Sequence, residues 1–168
     1  IYFLNDEYSL FYLNWIDPVK ESILRGMEND HWLKVHADQS FKSWAGFAFE
    51  AICLKHIGKL KEALGISGVT TDSGYWKALD DGKVKGEVDL VIDRADQCIN
   101  LCEMKFYSSE YIMKDQDAKE LLRKKELFKE TTGTKKALFT TLITSFGAKE
   151  NGPYINAVDN QLTVEDLF

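Results

Sequence analysis

Apolar positions along this chain recur with two different periods, and the switch between them lays out the expected fold. From Ser43 to Leu64, the residues Trp44, Phe47, Ala51, Leu54, Ile57, Leu60 and Leu64 fall three or four apart, the spacing of one face of an α-helix. Gly65 follows, where a left-handed residue is expected to close the helix. A strand is then expected over Val69–Lys77, followed by a turn at Asp80-Asp81-Gly82. Two further strands, Glu87–Asp93 and Ile99–Phe106, are joined by a tight polar turn at Arg94–Cys98. A charged helix spans Met113–Glu130, Thr132-Gly133 closes it, and Lys136–Thr144 is a strand rich in β-branched residues. The tail, Leu162–Phe168, reads as an acidic-apolar stub. The order helix, three strands, helix, strand is α/β material: a mixed sheet with helices on its faces.

The first forty residues carry an aromatic patch (Tyr8–Ile16), an Asp17-Pro18 break and a charged helix around Val19–Glu28. They are expected to be a lead-in, residues 1–40, that packs on a main domain of residues 41–168. No repeat or low-complexity linker interrupts the chain. It starts without Met inside the apolar run Ile1–Leu4, which suggests a fragment or C-terminal domain of something longer.

Composition narrows the class. A length of 168 residues is about one domain. With 45% hydrophobic and 29% charged residues and only two prolines, the chain resembles a folded protein rather than a disordered one. Its apolar stretches, such as Phe47–Leu54 with Glu50 inside it, are too short to span a bilayer. No leader with a small-residue cleavage site is visible, so the expected location is the cytoplasm. Cys53, Cys98 and Cys102 form no Cys-x-x-Cys and read as reduced, mostly buried thiols. The three histidines show no zinc spacing with them. A net charge of −6 argues against a uniformly basic nucleic-acid coat, but not against a nuclease, which gathers carboxylates at its metal and needs only a local basic rim.

The candidate chemistry lies on the two central strands. Strand alternation puts Glu87, Asp89, Val91 and Asp93 on one face of the first, and Ile99, Leu101, Glu103 and Lys105 on one face of the second. Val88, Leu90, Ile92 and Cys102, Met104, Phe106 take the opposite faces. Asp89, Glu103 and Lys105 thus stand among core-facing neighbours, where charges are costly unless paired or bound to metal. A turn centred on Asp96 sets Asp89 opposite Glu103, with Cβ atoms about 4.5–5.5 Å apart, and like charges so placed destabilise a sheet. A divalent cation between them would turn that repulsion into ligation, and hard oxygen donors suit Mg2+ or Mn2+. Glu50 sits in an otherwise apolar helix stripe, either at its edge or aimed at something positive. The bland alternative is an ordinary hairpin with exposed charges.

Asp89 followed by Glu103-Met104-Lys105 resembles the D…(D/E)XK signature of the PD-(D/E)XK, restriction-endonuclease-like superfamily, with Glu50 at the place of its first-helix glutamate. The inferred elements are similar to that superfamily's α-β-β-β-α-β core. More closely, nearly the whole chain resembles the C-terminal domain of archaeal-type P-loop (AAA-like) ATPases. The resemblance lies in Asp6-Glu7-Tyr8-Ser9-Leu10-Phe11-Tyr12, Trp44-x-x-x-x-Phe49-Glu50-x-x-Cys53, Val88-Asp89-Leu90-Val91-Ile92-Asp93-Arg94, Cys102-Glu103-Met104-Lys105-Phe106, Leu122-Arg123-x-Lys125, Ile143-Thr144-x-x-Gly147 and Asp166-Leu167-Phe168. Two departures stand out: Val88 occupies the proline position, and no G-x-x-x-x-G-K-[ST] is present. By resemblance, then, any ATPase lies upstream in the same polypeptide.

The resemblance implies that Asp89, Glu103 and the Met104 carbonyl hold Mg2+ (or Mn2+), that Glu50 binds it directly or through water, and that Lys105 serves the attacking water and the scissile phosphate. The implied reaction is hydrolysis of a DNA phosphodiester. The segment Lys114–Lys136 carries eight Lys/Arg against five Asp/Glu, with Arg123 and Lys125 the expected backbone contacts. Lys83 and Lys85 are weaker candidates, and Tyr107 is a candidate stacking residue. Implied partners are DNA and the upstream ATPase domain, with no membrane; a homo-oligomer is left open. The alternative is a catalytically silent nuclease-fold domain that binds DNA, regulates or docks the ATPase.

Overall fold

In a computed structural model, residues 6–26 and 30–168 are described. The apolar start Ile1–Leu4 and the end of the expected Val19–Glu28 helix lie outside the described residues. The chain divides into two compact units, the first ending at Ala48 and the second spanning Phe49–Phe168. The first is helical: α1 (Glu7–Phe11), a π turn at Tyr12–Ile16, a 3-10 turn at Asp17–Val19, α2 (Lys20–Leu24), α3 (His31–Ala37) and the start of α4 (Gln39–Lys55). Its aromatic residues find one another. The rings of Trp15, Phe41 and Trp44 lie 5.1–6.0 Å apart, and Phe11 stacks on Trp32 at 5.5 Å.

The second unit contains the rest of α4, α5 (Ile57–Ala63), β1 (Thr71–Asp80), β2 (Lys83–Arg94), β3 (Cys98–Lys105), α6 (Asp115–Thr132), β4 (Ala137–Thr144), α7 (Gly152–Ala157), β5 (Asn160–Thr163) and a 3-10 turn at Val164–Leu167. One sheet of order β1-β2-β3-β4-β5 results, antiparallel through β3 and parallel beyond it. The protein is therefore a mixed α/β fold. The single helix expected over Ser43–Leu64 is two, broken at His56, whose ring Nδ1 lies 2.8 Å from the Ile52 carbonyl oxygen. Gly65, with φ +69°, ends α5 as expected: its N–H donates to the Glu62 carbonyl and that of Ile66 to Lys61. These two bonds make a Schellman cap. Helix α7 and strand β5 were not expected from the sequence; each is short and shows little periodicity of its own.

Turn chemistry fixes the hairpins. Asp81 and Gly82 both have positive φ, 47° and 75°, the backbone of a type I′ turn that matches the strands' twist. Gln97, at φ 65°, closes the three-residue loop to β3. Leu90 then pairs with Cys102, Val91 with Leu101, Ile92 with Asn100 and Asp93 with Ile99, the register expected from a turn at Asp96.

The expected alternation on β2 needs one correction. Against β1, Gly74 pairs with Val91 but Trp76 with Val88, so Asp89 and Leu90 together oppose Tyr75 alone. Such a bulge adds a residue and re-aims side chains. Leu90 and Ile92 join the core of Phe49, Cys53, Cys102 and Met104, whereas Val88 packs with Ile99, Leu101 and Phe128 beneath α6. The phase of the strand slips at Asp89. Phe106 lies just past β3 and is 39% exposed.

β4 is buried from both sides: Ile143 enters the α4/α5 core and Leu142 the core of Leu121, Tyr111 and Tyr154. Leu142 is fully buried, so Leu142→Ala should cost about 2–5 kcal/mol. Urea denaturation should show it as a lower midpoint at unchanged slope. A loss below about 1 kcal/mol would mean that the two layers do not meet on β4 as described.

Candidate functional site

Three elements bring the chemistry together at the carboxyl end of β3. Glu103 and Lys105 share one face of that strand by alternation, and the Lys105 ammonium lies 3.0 Å from Glu103 Oε1. Beyond Leu90 the β2–β3 ladder stops, and the bulged Asp89 accepts the Met104 N–H on Oδ2 at 2.8 Å. A side chain thereby does the work of a strand carbonyl and is pinned beside Glu103. Helix α6 lies over the same end of the sheet, where Gly86 makes room: a Cβ there would stand 2.8 Å from Leu127 Cδ2. The closeness of α6 carries Lys124 to Glu103 Oε2, 2.7 Å away.

The carboxylates repel. Burial and the Glu103 charge hold Asp89 above the usual carboxylate range, opposed by its hydrogen bond from Met104 and by Lys124 and Lys105. Glu50 is also raised, by burial and then by Asp89, Glu103 and Glu87. This places the first-helix glutamate electrostatically with the other two. Among the described residues its carboxylate has no hydrogen-bond or ion-pair partner. For Lys105, burial works against the ammonium, but Glu103 outweighs it and the group is held above its ordinary value. Lys105 is thus a firm cation rather than a ready base.

An open cleft of about 400 Å³ borders Glu103 and Lys105, lined also by Lys85, Glu87, Arg123 and Lys124 among others; Asp89 and Glu50 do not line it. Of the expected backbone contacts, Arg123 lies in the cleft, where Glu120 holds it through two hydrogen bonds at 2.6 and 2.8 Å. Lys125 points elsewhere, to Asp159 Oδ2 at 3.0 Å. Lys124 was missed in the sequence, and no signal separates it from its neighbour there. Lys85 lies in the cleft and pairs with Asp80, whereas Tyr107 stacks on Tyr111 with ring centres 4.5 Å apart. Cys53 and Cys102 are free and buried, and burial pushes both thiols up to about 12, which leaves them chemically inert.

For a divalent ion the donor chemistry fits: Asp89, Glu103 and Glu50 are hard oxygen donors, and Asp89 and Glu50 are held above the usual carboxylate range by burial and by neighbouring carboxylates. Among the described residues, however, no three His, Cys, Asp or Glu side chains are gathered as a ligand cage. Glu103 has collected two lysines instead. No helix among the described residues is long and apolar enough to cross a membrane.

The fold and site define a mixed α/β domain with a carboxylate–lysine centre at the carboxyl end of its central strand, a class that hosts many activities. A family model described as archaeal and bacterial proteins of unknown function, DUF234, matches residues 12–121, and the chain belongs to that family. No curated protein matches the chain. Nor does any solved structure.

The burial of Asp89 and its repulsion by Glu103 have a measurable sign. An acid whose folded-state pKa is raised favours folding when protonated, and that advantage is lost as pH rises through the raised value. In metal-free buffer at pH 7, Asp89→Asn should therefore stabilise the protein by about 0.5 kcal/mol, the scale of a like-charge cross-strand contact. The amide oxygen can still accept the Met104 N–H. The gain should shrink as pH falls toward the ordinary aspartate value of 3.8. Thermal melts across that range would show a constant or negative difference if Asp89 were not repelled.

Proposed function

We propose that the second unit is a divalent-cation-dependent phosphodiester hydrolase centre of the PD-(D/E)XK, restriction-endonuclease-like kind, acting on DNA and coupled to an upstream P-loop ATPase module of the same polypeptide. The observation that carries this reading is Asp89, bonded to the Met104 N–H, next to Glu103 and Lys105, which line an open cleft with further lysine and arginine on its walls, while Glu50 feels the charges of both carboxylates. The order of helix, three strands, helix and strand supports it. So do the quoted motifs, and the link to an ATPase rests on them alone.

Asp89, Glu103, the Met104 carbonyl and Glu50 would hold the ion. When bound, Mg2+ or Mn2+ supplies Lewis acidity and neutralises charge developing on the phosphoryl oxygens. The remaining work belongs to the protein. Lys105 keeps its proton on Nζ and serves as a fixed positive charge toward the phosphate. Where Glu50 reaches the ion only through water, it is the better acceptor for a water proton than Lys105, because its carboxylate has no hydrogen-bond or ion-pair partner among the described residues. Arg123 would contact the flanking backbone, where phosphate contacts fix register rather than read sequence.

A second reading has its own observation. Both oxygens of Glu103 are already taken by lysines, as expected of a nuclease-type fold that has kept its residues for DNA binding, regulation or docking of the ATPase and lost its chemistry. Plasmid nicking in Mn2+ decides between them. Wild type should cut, and Glu103→Ala and Lys105→Ala should each fall at least ~100-fold, as for loss of a charge-stabilising group. Equal cutting by all three would place the activity elsewhere. Isothermal titration with Mn2+ on wild type and Asp89→Ala adds a second check: no heat in either favours the silent domain.

A further inference from the structure

Glu103 carries one negative charge yet holds two ammonium groups, Lys105 on Oε1 and Lys124 on Oε2. Lys105 has little choice, being two residues along the same strand. Lys124 is different. It reaches down from α6, and its side chain is only 14% exposed. Meanwhile Asp89 and Glu50, the other carboxylates of the centre, have no ion pair of their own among the described residues. Positive charge is concentrated on one carboxylate while its neighbours repel.

The cleft repeats this economy. Lys85 pairs with Asp80 at 2.6 Å, Arg123 with Glu120 at 2.6 Å, and Lys124 and Lys105 with Glu103. Each cation already has an acidic partner within the protein, so a phosphate entering the cleft must compete with a carboxylate for it. Releasing the most buried of these lysines requires another cation to take its place on Glu103.

We infer that Lys124 is an exchangeable counter-ion: it occupies Glu103 Oε2 when no divalent ion is present, and an ion that ligates Glu103 displaces its ammonium into the cleft to bind a backbone phosphate. The inference rests on the divalent-cation reading above and deepens it. Lys124 and the ion compete for one carboxylate, whereas the freed Lys124 and the ion cooperate in holding a polyanion. Cation and DNA binding are therefore linked, each raising affinity for the other by the same factor. Lys124 is a binding residue in this scheme, paired with Glu103 in one state and with phosphate in the other.

The test is a Mn2+ titration by calorimetry on wild type, Lys124→Met and Lys124→Arg. It is paired with binding of a short fluorescent DNA duplex in EDTA and in Mn2+ under non-cleaving conditions at low temperature. Removing the competitor should tighten Mn2+ binding in Lys124→Met about 10-fold, equivalent to 1.4 kcal/mol, while Lys124→Arg stays near wild type. Adding Mn2+ should strengthen duplex binding by wild type, and in Lys124→Met that enhancement should largely disappear. Tighter Mn2+ binding in Lys124→Met with the Mn2+ enhancement of duplex binding retained would make Lys124 a neighbouring charge that merely repels the ion, and would overturn the exchange. Melting curves in EDTA establish that Lys124→Met folds, and Lys124→Gln serves in its place if it does not.

Unchanged or weaker Mn2+ binding in the neutral variant overturns the role of Lys124, and a normal wild-type isotherm then leaves the cation site itself standing. No heat from wild type but binding by the neutral variant supports the competition. No heat from either overturns the cation site and the exchange together.

Discussion

Negative charge crowded where β2 and β3 part company is the constraint around which the second unit is built. Burial raises the energy of the ionised forms of Asp89 and Glu50, and the charge of Glu103 adds to the cost at both. A domain selected for stability alone would place apolar side chains of similar volume there, since buried ionic groups seldom outdo good packing. The Cys102, Leu90 and Ile92 side chains a few ångströms along the same strands show that the sheet is packed that way elsewhere. Strain retained at one spot in an otherwise consistent fold is the usual mark of function. Lys105 and Lys124 lessen the repulsion without removing it.

Placement of the charges is the work of irregularities rather than of regular strands. Without the bulge, β2 would keep one phase throughout and Val88 would share a side with Leu90. With it, Val88 lies under α6 and Asp89 is left at the slip, bonded to the backbone of β3 instead of to the core. Gly86 complements this by admitting Leu127, so α6 settles close enough for a lysine to span the gap to Glu103. A regular β2 with a side chain at residue 86 would keep the sheet and lose the site.

Much of this scaffold was legible because local chemistry dictates it. The positive φ values at Gly65, Asp81-Gly82 and Gly133 follow from residue type, and the turn around Asp96 set the β2–β3 register. That register brings Asp89 close to Glu103 and Lys105, but the ladder stops at Leu90 and Asp89 bonds to the Met104 N–H instead of standing directly opposite Glu103 as expected. What escaped depends on tertiary competition. The bulge is a negotiation among β1, β2 and β3 that no single strand's pattern encodes. The break at His56 is invisible because the apolar spacing continues through it from Leu54 to Ile57. Helix α7 and β5 are too short to show a period, and their identity comes from Leu162, Tyr154 and Ala157 filling cores supplied by others.

The choice between Lys124 and Lys125 shows most plainly where a sequence argument ends. The buried face of α6 is centred on Ala118, Leu121 and Phe128, and residues 124 and 125 flank that line on opposite sides. Helical spacing makes both lysines half-buried snorkelling candidates and says nothing about which flank faces the carboxylates. The sheet order decides it: one flank overlies β2 and β3, where Glu103 waits, and the other overlies β4 and β5, where Asp159 takes Lys125 and also accepts the Thr140 N–H. The same chemistry therefore does two jobs a residue apart. Lys125 ties helix to loop through a carboxylate already bonded to the backbone of β4. Lys124 meets a carboxylate with competing claims from an adjoining strand lysine and from any cation that Asp89 and Glu50 attract. Only the second pairing sits where exchange would lower the repulsion around it.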